Sequence, residues 1–129
     1  MLVVDDSQAI RARLVEMFRE ACGPDALLEA SSADEALATL ASHAVDVVVL
    51  DLHMPGKNGL EIIARIKRAE GAPVVVVLTN HPNEHLRREC VAQGADFFFD
   101  KSKDFDQLIG VVSDPKSERS SQQLEARKS

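Results

Sequence analysis

Polar residues whose types suit phosphoryl chemistry follow short apolar segments of the chain. Asp5 and Asp6 follow the first segment, and Asp51 follows the third. Thr79 and Lys101 follow the fourth and the fifth. Carboxylates packed together repel unless a cation neutralises them, and oxygen-only ligands suit Mg²⁺ or Mn²⁺. With a hydroxyl and an ammonium beside the metal, the site would bind a phosphoryl group, and Asp51 is the candidate nucleophile that forms an aspartyl phosphate.

The elements that must position these residues alternate five times between a short apolar run and a helical period. Strands are predicted over residues 1–4, 26–30, 45–50, 73–78 and 96–99. Apolar residues at helical spacing predict helices over 10–21, 33–40, 59–70, 82–93 and 105–112. In the first helix, helical spacing is shared by Ile10, Leu14, Met17, Phe18 and Ala21. Ser32 and Glu35 form a predicted capping box for the second helix.

The arrangement of these elements predicts an α/β fold. The third and fourth apolar runs are continuous rather than alternating, which is typical of parallel strands covered on both faces. Strands that alternate with helices imply right-handed crossovers. We therefore predict a flavodoxin-like, doubly wound, five-stranded parallel sheet with strand order 2-1-3-4-5 and helices on both faces. Such a sheet brings the carboxyl ends of its strands to one edge, so the five polar residues should converge there.

Composition limits the class of protein and its partners. The chain has 129 residues, 45% of them hydrophobic, and a net charge of -6, which predicts one acidic domain that does not attract nucleic acid. No apolar run approaches the ~20 residues of a membrane span, and no leader pattern opens the sequence. Cys22 and Cys90 lack metal or redox spacing and are interpreted as reduced, buried thiols of a cytoplasmic protein. We expect a domain over residues 1–112 and a polar, disordered tail over 113–129.

Four segments, VVDDS, VVVLDLHMPGKNG, VVVLTN and GADFFFDKS, together resemble the response-regulator receiver domains of two-component signalling. The resemblance covers residue 1 to about residue 112 and suggests the single-domain type. It implies that Asp51 is the phosphoacceptor. It also implies that Asp6 binds the metal directly, that Asp5 binds it through water, and that the backbone carbonyl of His53 is a further ligand.

The same resemblance assigns roles to the remaining site residues. Thr79 is the hydroxyl that moves toward the phosphoryl group, and Lys101 pairs with phosphoryl oxygens. Phe98 occupies the position of the switch aromatic, although a permanently buried core role remains an alternative. The side chain of His53 either tunes the lifetime of the phosphoryl group or is a solvated turn residue. Ser102 replaces the usual proline, so a trans bond is expected there because a non-proline cis bond costs ~2.5–4 kcal/mol.

The function implied by the resemblance is a phosphorylation-dependent switch. It would take a phosphoryl group from a sensor histidine kinase or a histidine phosphotransfer protein. It would then bind a downstream protein target through the face formed by the fourth helix, fifth strand and fifth helix. Neither nucleic acid nor membrane is an expected partner, and the domain would be a monomer or a phosphorylation-promoted homodimer. It would catalyse only its own phosphoryl transfer and autodephosphorylation, and so would not be an enzyme on external substrates.

Two other functions remain as alternatives. A receiver-like interaction module that is never phosphorylated is disfavoured because all five site positions are present. A metal-dependent aspartyl-phosphate phosphatase usually has a second acid two residues after its nucleophile. Here that position holds His53, which disfavours this reading.

Overall fold

The computed structural model describes residues 1–22, 27–51, 59–68, 71–79, 83–101 and 104–113. The strands are β1 Leu2–Val4, β2 Leu28–Ala30, β3 Val47–Asp51, β4 Val74–Thr79 and β5 Phe97–Asp100. The helices are α1 Gln8–Cys22, α2 Ala33–Ser42, α3 Gly59–Arg68, α4 Glu84–Gln93 and α5 Phe105–Ser113. The predicted alternation is confirmed, and the ends differ from prediction by no more than two residues. Residues 114–129, most of the predicted tail, lie outside the described part of the chain.

The five strands form one parallel sheet in the order β2-β1-β3-β4-β5. β1 therefore lies between β2 and β3, and the strand order reverses beside it. This arrangement confirms the predicted flavodoxin-like fold class. The reversal leaves a crevice beyond the carboxyl ends of β1 and β3, which is the usual ligand position in such sheets.

Both faces of the sheet are buried, because successive side chains of a strand point to opposite faces. On one face, α2, α3 and α4 cover alternate strand residues, including Leu2, Val4, Val48, Leu50, Val75 and Val77. On the other face, α1 and α5 cover residues that include Val3, Val47, Val49, Val74, Val76 and Leu78. This two-sided burial is the physical reason for the continuous valine runs. None of the helices in the described ranges is long and apolar enough to cross a membrane.

The apolar stripe of α1 does not lie wholly in the core. Leu14 and Phe18 are buried, but Ile10 and Met17 are 38% and 36% exposed. Val15, which the helical spacing did not single out, is buried instead. The helix is as predicted, but only part of its apolar stripe is buried, because α1 carries more apolar residues than its contact with the sheet and α5 can cover.

Local signals at the helix ends are largely confirmed. Ser32 caps α2, and its hydroxyl accepts a hydrogen bond from the Glu35 amide at 3.2 Å. The carboxylate of Glu35 reaches the amide and hydroxyl of Ser31, one residue before the partner that a capping box prescribes. α4 is capped by Asn83 and ends at Gly94, whose φ of 112° favours glycine.

A buried ion pair ties α3 to the starts of β4 and β5. Lys67 Nζ lies 2.8 Å from Asp96 Oδ2, and the side chains are 19% and 4% exposed. Lys67 also donates to the Pro73 carbonyl at 3.0 Å, while the Val75 amide donates to Asp96 Oδ2 at 2.9 Å. The pair stabilises the sheet edge opposite the carboxyl ends of the strands.

The described cysteine is a buried thiol, as predicted. Cys90 is free, packs in the core and is fully buried. Burial raises the pKa of its thiol to about 11, so the group is protonated at neutral pH. The side chain of Cys22 lies outside the described part of the structure.

Candidate functional site

The carboxyl ends of β1, β3 and β5 bring three charged side chains into direct contact. Lys101 Nζ lies 3.2 Å from Asp5 Oδ2 and 3.2 Å from Asp51 Oδ2. The Lys101 side chain is 13% exposed, and those of Asp5 and Asp51 are 1% and 8% exposed. A single ammonium thus bridges two buried carboxylates that are 46 residues apart in the sequence.

Strand pairing places each of these residues at the edge. Asp51 is the last residue of β3 and lies opposite Leu78, so Thr79 is one position further along β4. The Lys101 amide donates to the Thr79 carbonyl at 3.0 Å, just beyond the end of β5. The Asp5 amide donates to the Ala30 carbonyl at 3.1 Å, which continues the pairing of β1 with β2. The site is therefore attached to the backbone of all five strands.

Asp5 is the most enclosed of the carboxylates. Its Oδ1 accepts a hydrogen bond from the Ser7 amide at 2.9 Å, while Oδ2 faces Lys101. Burial raises the pKa of the Asp5 carboxyl, and the negative charge of Asp51 raises it further. The Ser7 amide and Lys101 lower this pKa but do not cancel the rise. The negative charge of Asp5 is therefore only partly compensated by the protein.

The carboxylates of this cluster fit a hard divalent cation. Ligand oxygens of Asp5, Asp6 and Asp51 lie within 4.8 Å of one another. Asp6 is exposed at the mouth of the site, and the other two are buried. Three carboxylates beside one ammonium leave excess negative charge that a cation would neutralise, and an oxygen-only donor set suits Mg²⁺. His53, the remaining predicted metal ligand, lies outside the described residues.

The two predicted switch residues lie on neighbouring strands. Thr79 is fully buried at the end of β4. Phe98 pairs with Val77 of β4 and packs against the core on the α2–α4 face, with intermediate exposure. Its neighbours Phe97 and Phe99 are buried on the opposite face, with ring centroids 5.9 Å apart. Phe98 is therefore neither fully buried nor free in solvent.

A second layer behind the site was not anticipated from sequence. Arg11 Nη1 donates to the Asp5 carbonyl at 2.7 Å, and its Nε donates to Glu29 Oε1 at 3.0 Å. Asp104 accepts a hydrogen bond from the Asp100 amide at 2.8 Å and so closes the turn that carries Lys101. Arginine in a first helical turn and aspartate before a helix are common, and no local pattern singles out these two.

The described part of the chain also contains a groove of about 350 Å³ between α2 and α3. Its walls include Leu37, Leu40, Val45, Ile66 and Pro73. Val45 and Pro73 precede β3 and β4, so the groove lies at the opposite edge of the sheet from Lys101. None of the predicted site residues that lie in the described part of the chain contributes to it.

Comparison with known sequences identifies the class of protein to which this arrangement belongs. The family model of the response regulator receiver domain matches residues 1–113. The chain therefore belongs to the response regulator receiver domain family. The match ends at the last residue of α5.

Among individual proteins, the chain is 29% identical over 112 residues to the response regulator UvrY of Escherichia coli K12. That match covers 87% of this chain and 51% of UvrY. The chain is also 32% identical over 123 residues to a protein-glutamate methylesterase/protein-glutamine glutaminase of Haloarcula marismortui, covering 87% of this chain and 33% of the relative. The chain thus spans about half of the first relative and a third of the second.

Solved structures agree with this assignment. The receiver domain of the Francisella response regulator 1452 is 27% identical, with a TM-score of 0.74 over 86% of this chain and 90% of that domain. The receiver domain of a DNA-binding response regulator from Colwellia psychrerythraea 34H has a TM-score of 0.82. It is 24% identical and covers 90% of this chain and 96% of that one, which supports the fold alone.

Proposed function

We propose that this receiver domain is a phosphorylation-dependent switch in which Asp51 accepts a phosphoryl group. The observation that carries the proposal is the bridge from Lys101 to both Asp5 and Asp51, at 3.2 Å each. A carboxylate at a strand end, beside a lysine and an acid cluster, combines a nucleophile with groups that stabilise phosphoryl charge.

The transfer would move a phosphoryl group from a phosphohistidine donor to the Asp51 carboxylate, with Mg²⁺ as the expected cofactor. One Asp51 oxygen forms a bond to phosphorus as the phosphorus–nitrogen bond breaks. The leaving imidazole keeps the electron pair and takes a proton from solvent. Lys101 is placed to release one carboxylate oxygen and to donate to an oxygen of the incoming group.

Asp5, Asp6 and Asp51, with the backbone carbonyl of His53, would hold Mg²⁺ or Mn²⁺. When bound, the metal supplies positive charge against the phosphoryl oxygens. The positive charge of the metal would also offset the repulsion between Asp5 and Asp51, which contributes to the raised pKa of Asp5. We expect Asp6→Ala to weaken Mg²⁺ binding sharply, and unchanged affinity in a titration would contradict this ligand assignment.

The proposed output of phosphorylation is a change at the face formed by α4, β5 and α5. Thr79 would shift toward a phosphoryl oxygen, and Phe98 would turn further inward to fill the vacated space. Because Phe98 already packs in part against the core, this move would contribute only a fraction of the ~1.5–3 kcal/mol gained by burying a fully exposed ring. The resulting bias would still shift a two-state population. The intermediate exposure of Phe98 leaves room for such a move.

The proposed partners follow from this cycle. A sensor histidine kinase or a histidine phosphotransfer protein would supply the phosphoryl group, and a downstream protein target would bind the α4–β5–α5 face. The domain would act in the cytoplasm, as a monomer or as a homodimer that phosphorylation promotes. Its catalysis would be limited to its own phosphoryl transfer and autodephosphorylation. The proposed polar tail would be residues 114–129, because Ser113, which was predicted to begin it, is the last residue of α5.

Intact-mass spectrometry after exposure to a small phosphodonor, with and without Mg²⁺, tests the proposal against its alternatives. A single Mg²⁺-dependent adduct that Asp51→Asn abolishes is the expected result. The amide keeps the shape of the side chain but loses the nucleophile. No adduct in the wild type would favour an interaction module, whereas rapid multiple turnover of the donor would favour a phosphatase.

A further inference from the structure

We propose that Arg11 is a positioning residue for the acidic site. It fixes the peptide that joins Asp5 to Asp6 and thereby sets where the Asp6 carboxylate points. This inference rests on the proposed metal-binding function of the site. It adds a residue that contacts neither the metal nor the phosphoryl group in that proposal.

The contacts of Arg11 join the acidic turn to the neighbouring strand β2. Nη1 donates to the Asp5 carbonyl at 2.7 Å, a short distance typical of a charge-assisted hydrogen bond. Nε donates to Glu29 Oε1 at 3.0 Å, and the Arg11 side chain is 14% exposed. The Arg11 amide also donates to the Ser7 carbonyl at 2.9 Å, within the first turn of α1. The guanidinium is therefore held by the Asp5 carbonyl at Nη1 and by Glu29 at Nε.

The geometry of one peptide plane explains why this matters for Asp6. The Asp5 carbonyl and the Asp6 amide belong to the same planar peptide unit. A hydrogen bond that holds the carbonyl therefore fixes the orientation of this plane and the position of the Asp6 Cα. The other polar groups of Asp5 are already bonded, the amide to Ala30 and the carboxylate to Ser7 and Lys101. With the hydrogen bond from Arg11 to the carbonyl, every polar group of Asp5 has a hydrogen-bond partner.

Arg11 contacts the backbone of Asp5 and not its carboxylate. The groups that shift the pKa of the Asp5 carboxyl are its burial, the Ser7 amide, Asp51 and Lys101. Arginine suits the role because its planar guanidinium presents several donors in a fixed fork. One donor can hold Glu29 while another holds the carbonyl, and a lysine ammonium lacks this rigid pairing. Residues behind a metal ligand commonly tune affinity in this way.

The test compares four forms of the full chain: wild type, Arg11→Gln, Arg11→Lys and Arg13→Gln. Arg13 is exposed on the same helix, so its substitution is a control for loss of one positive charge. Two quantities are measured by NMR, the amide signal of Asp6 without metal and the dissociation constant for Mg²⁺. The amide signal reports the peptide that Arg11 contacts and would not move if Arg11 only supported α1 and β2.

We expect Arg11→Gln to shift the Asp6 amide signal and to raise the Mg²⁺ dissociation constant about tenfold, the lower end for residues behind a metal ligand. Arg11→Lys keeps the charge but should still show a smaller shift of the Asp6 amide signal and a smaller rise of the Mg²⁺ dissociation constant. Arg13→Gln should show neither change. Wild-type values for Arg11→Gln would overturn the inference. If Arg11→Gln does not fold, wild-type values for Arg11→Lys would overturn it.

Failure of the proposed function gives a different result. A wild-type chain that binds no Mg²⁺ would contradict the metal site, whatever the role of Arg11. The Asp6 amide comparison between Arg11→Gln and Arg13→Gln would then still decide whether Arg11 positions the turn.

Discussion

Replacing Lys101 with Met should destabilise the domain through the two carboxylates that the ammonium bridges. Lys101 Nζ is 3.2 Å from both Asp5 and Asp51, whose side chains are 1% and 8% exposed. Methionine fills a similar volume but leaves two buried carboxylates without a neighbouring positive charge. Removing one partner of a buried ion pair costs ~3–5 kcal/mol. Since Lys101 is itself 13% exposed, we expect a loss of about 3 kcal/mol in the free energy of unfolding at neutral pH.

The loss should depend on pH. The pKa of Asp5 is raised above its usual value, chiefly by burial, so the folded state binds the proton more tightly than the unfolded state. The protonated Asp5 carboxyl therefore favours folding at pH values below its pKa in the unfolded state. This stabilisation is lost as the pH rises through its pKa in the folded state. Lys101 lowers the pKa of Asp5, so Lys101→Met should raise this pKa further. The pH range between the pKa of Asp5 in the unfolded state and its pKa in the folded state then becomes wider. The deficit of the variant should therefore be small in acid and should grow toward neutral pH.

Urea unfolding followed by circular dichroism is the appropriate assay, because the chain has no Trp or Tyr for fluorescence. Arg68→Met, an exposed residue of α3, controls for the loss of one positive charge. Saturating Mg²⁺ should reduce the deficit of Lys101→Met, since a bound cation replaces part of the missing charge. Equal stabilities of the two variants between about pH 5 and pH 8 would refute the reasoning.

Three further predictions concern the packing around the site and the opposite sheet edge. Asp96→Asn should lower the free energy of unfolding by about 3 kcal/mol, measured in urea, because it leaves the largely buried Lys67 ammonium without its counter-charge; a loss below ~1 kcal/mol would contradict this. Gly94→Ala should cost more stability than Gly71→Ala, because a Cβ at Gly94 would lie 2.9 Å from Lys67 Cγ and nothing lies within 4 Å at Gly71; equal thermal midpoints would contradict this. Phosphorylation should change the NMR ring signals of Phe98, and unchanged signals in a phosphorylated domain would indicate that the ring is fixed core.

The order of elements was predictable because its signals are local and repeated. Continuous valine runs indicate strands covered on both faces, and glycine marks a helix end at Gly94, where φ is 112°. The convergence of Asp5, Asp51 and Lys101 followed from topology, since parallel strands end at the same edge. The structure confirms that these three side chains meet.

Features that depend on packing between distant elements were not predictable. The spacing of Ile10, Leu14, Met17 and Phe18 defines an apolar stripe on α1 but not the part of it that the core covers. The partners of Arg11 are set by the register of β1 against β2, which no segment encodes alone. The contact of Asp96 with Lys67, 29 residues away, likewise appears only when the end of α3 meets the residue before β5.

The central claim is that Asp51 is the phosphoacceptor of a Mg²⁺-dependent receiver domain. Peptide mass spectrometry of the domain after treatment with a small phosphodonor locates the modified residue directly. We predict a single modified position, Asp51, whose yield depends on Mg²⁺ and falls in Asp6→Ala. Modification of Asp5 or Asp6 in place of Asp51, or an Asp51 adduct whose yield is the same after Mg²⁺ is removed, would contradict the account.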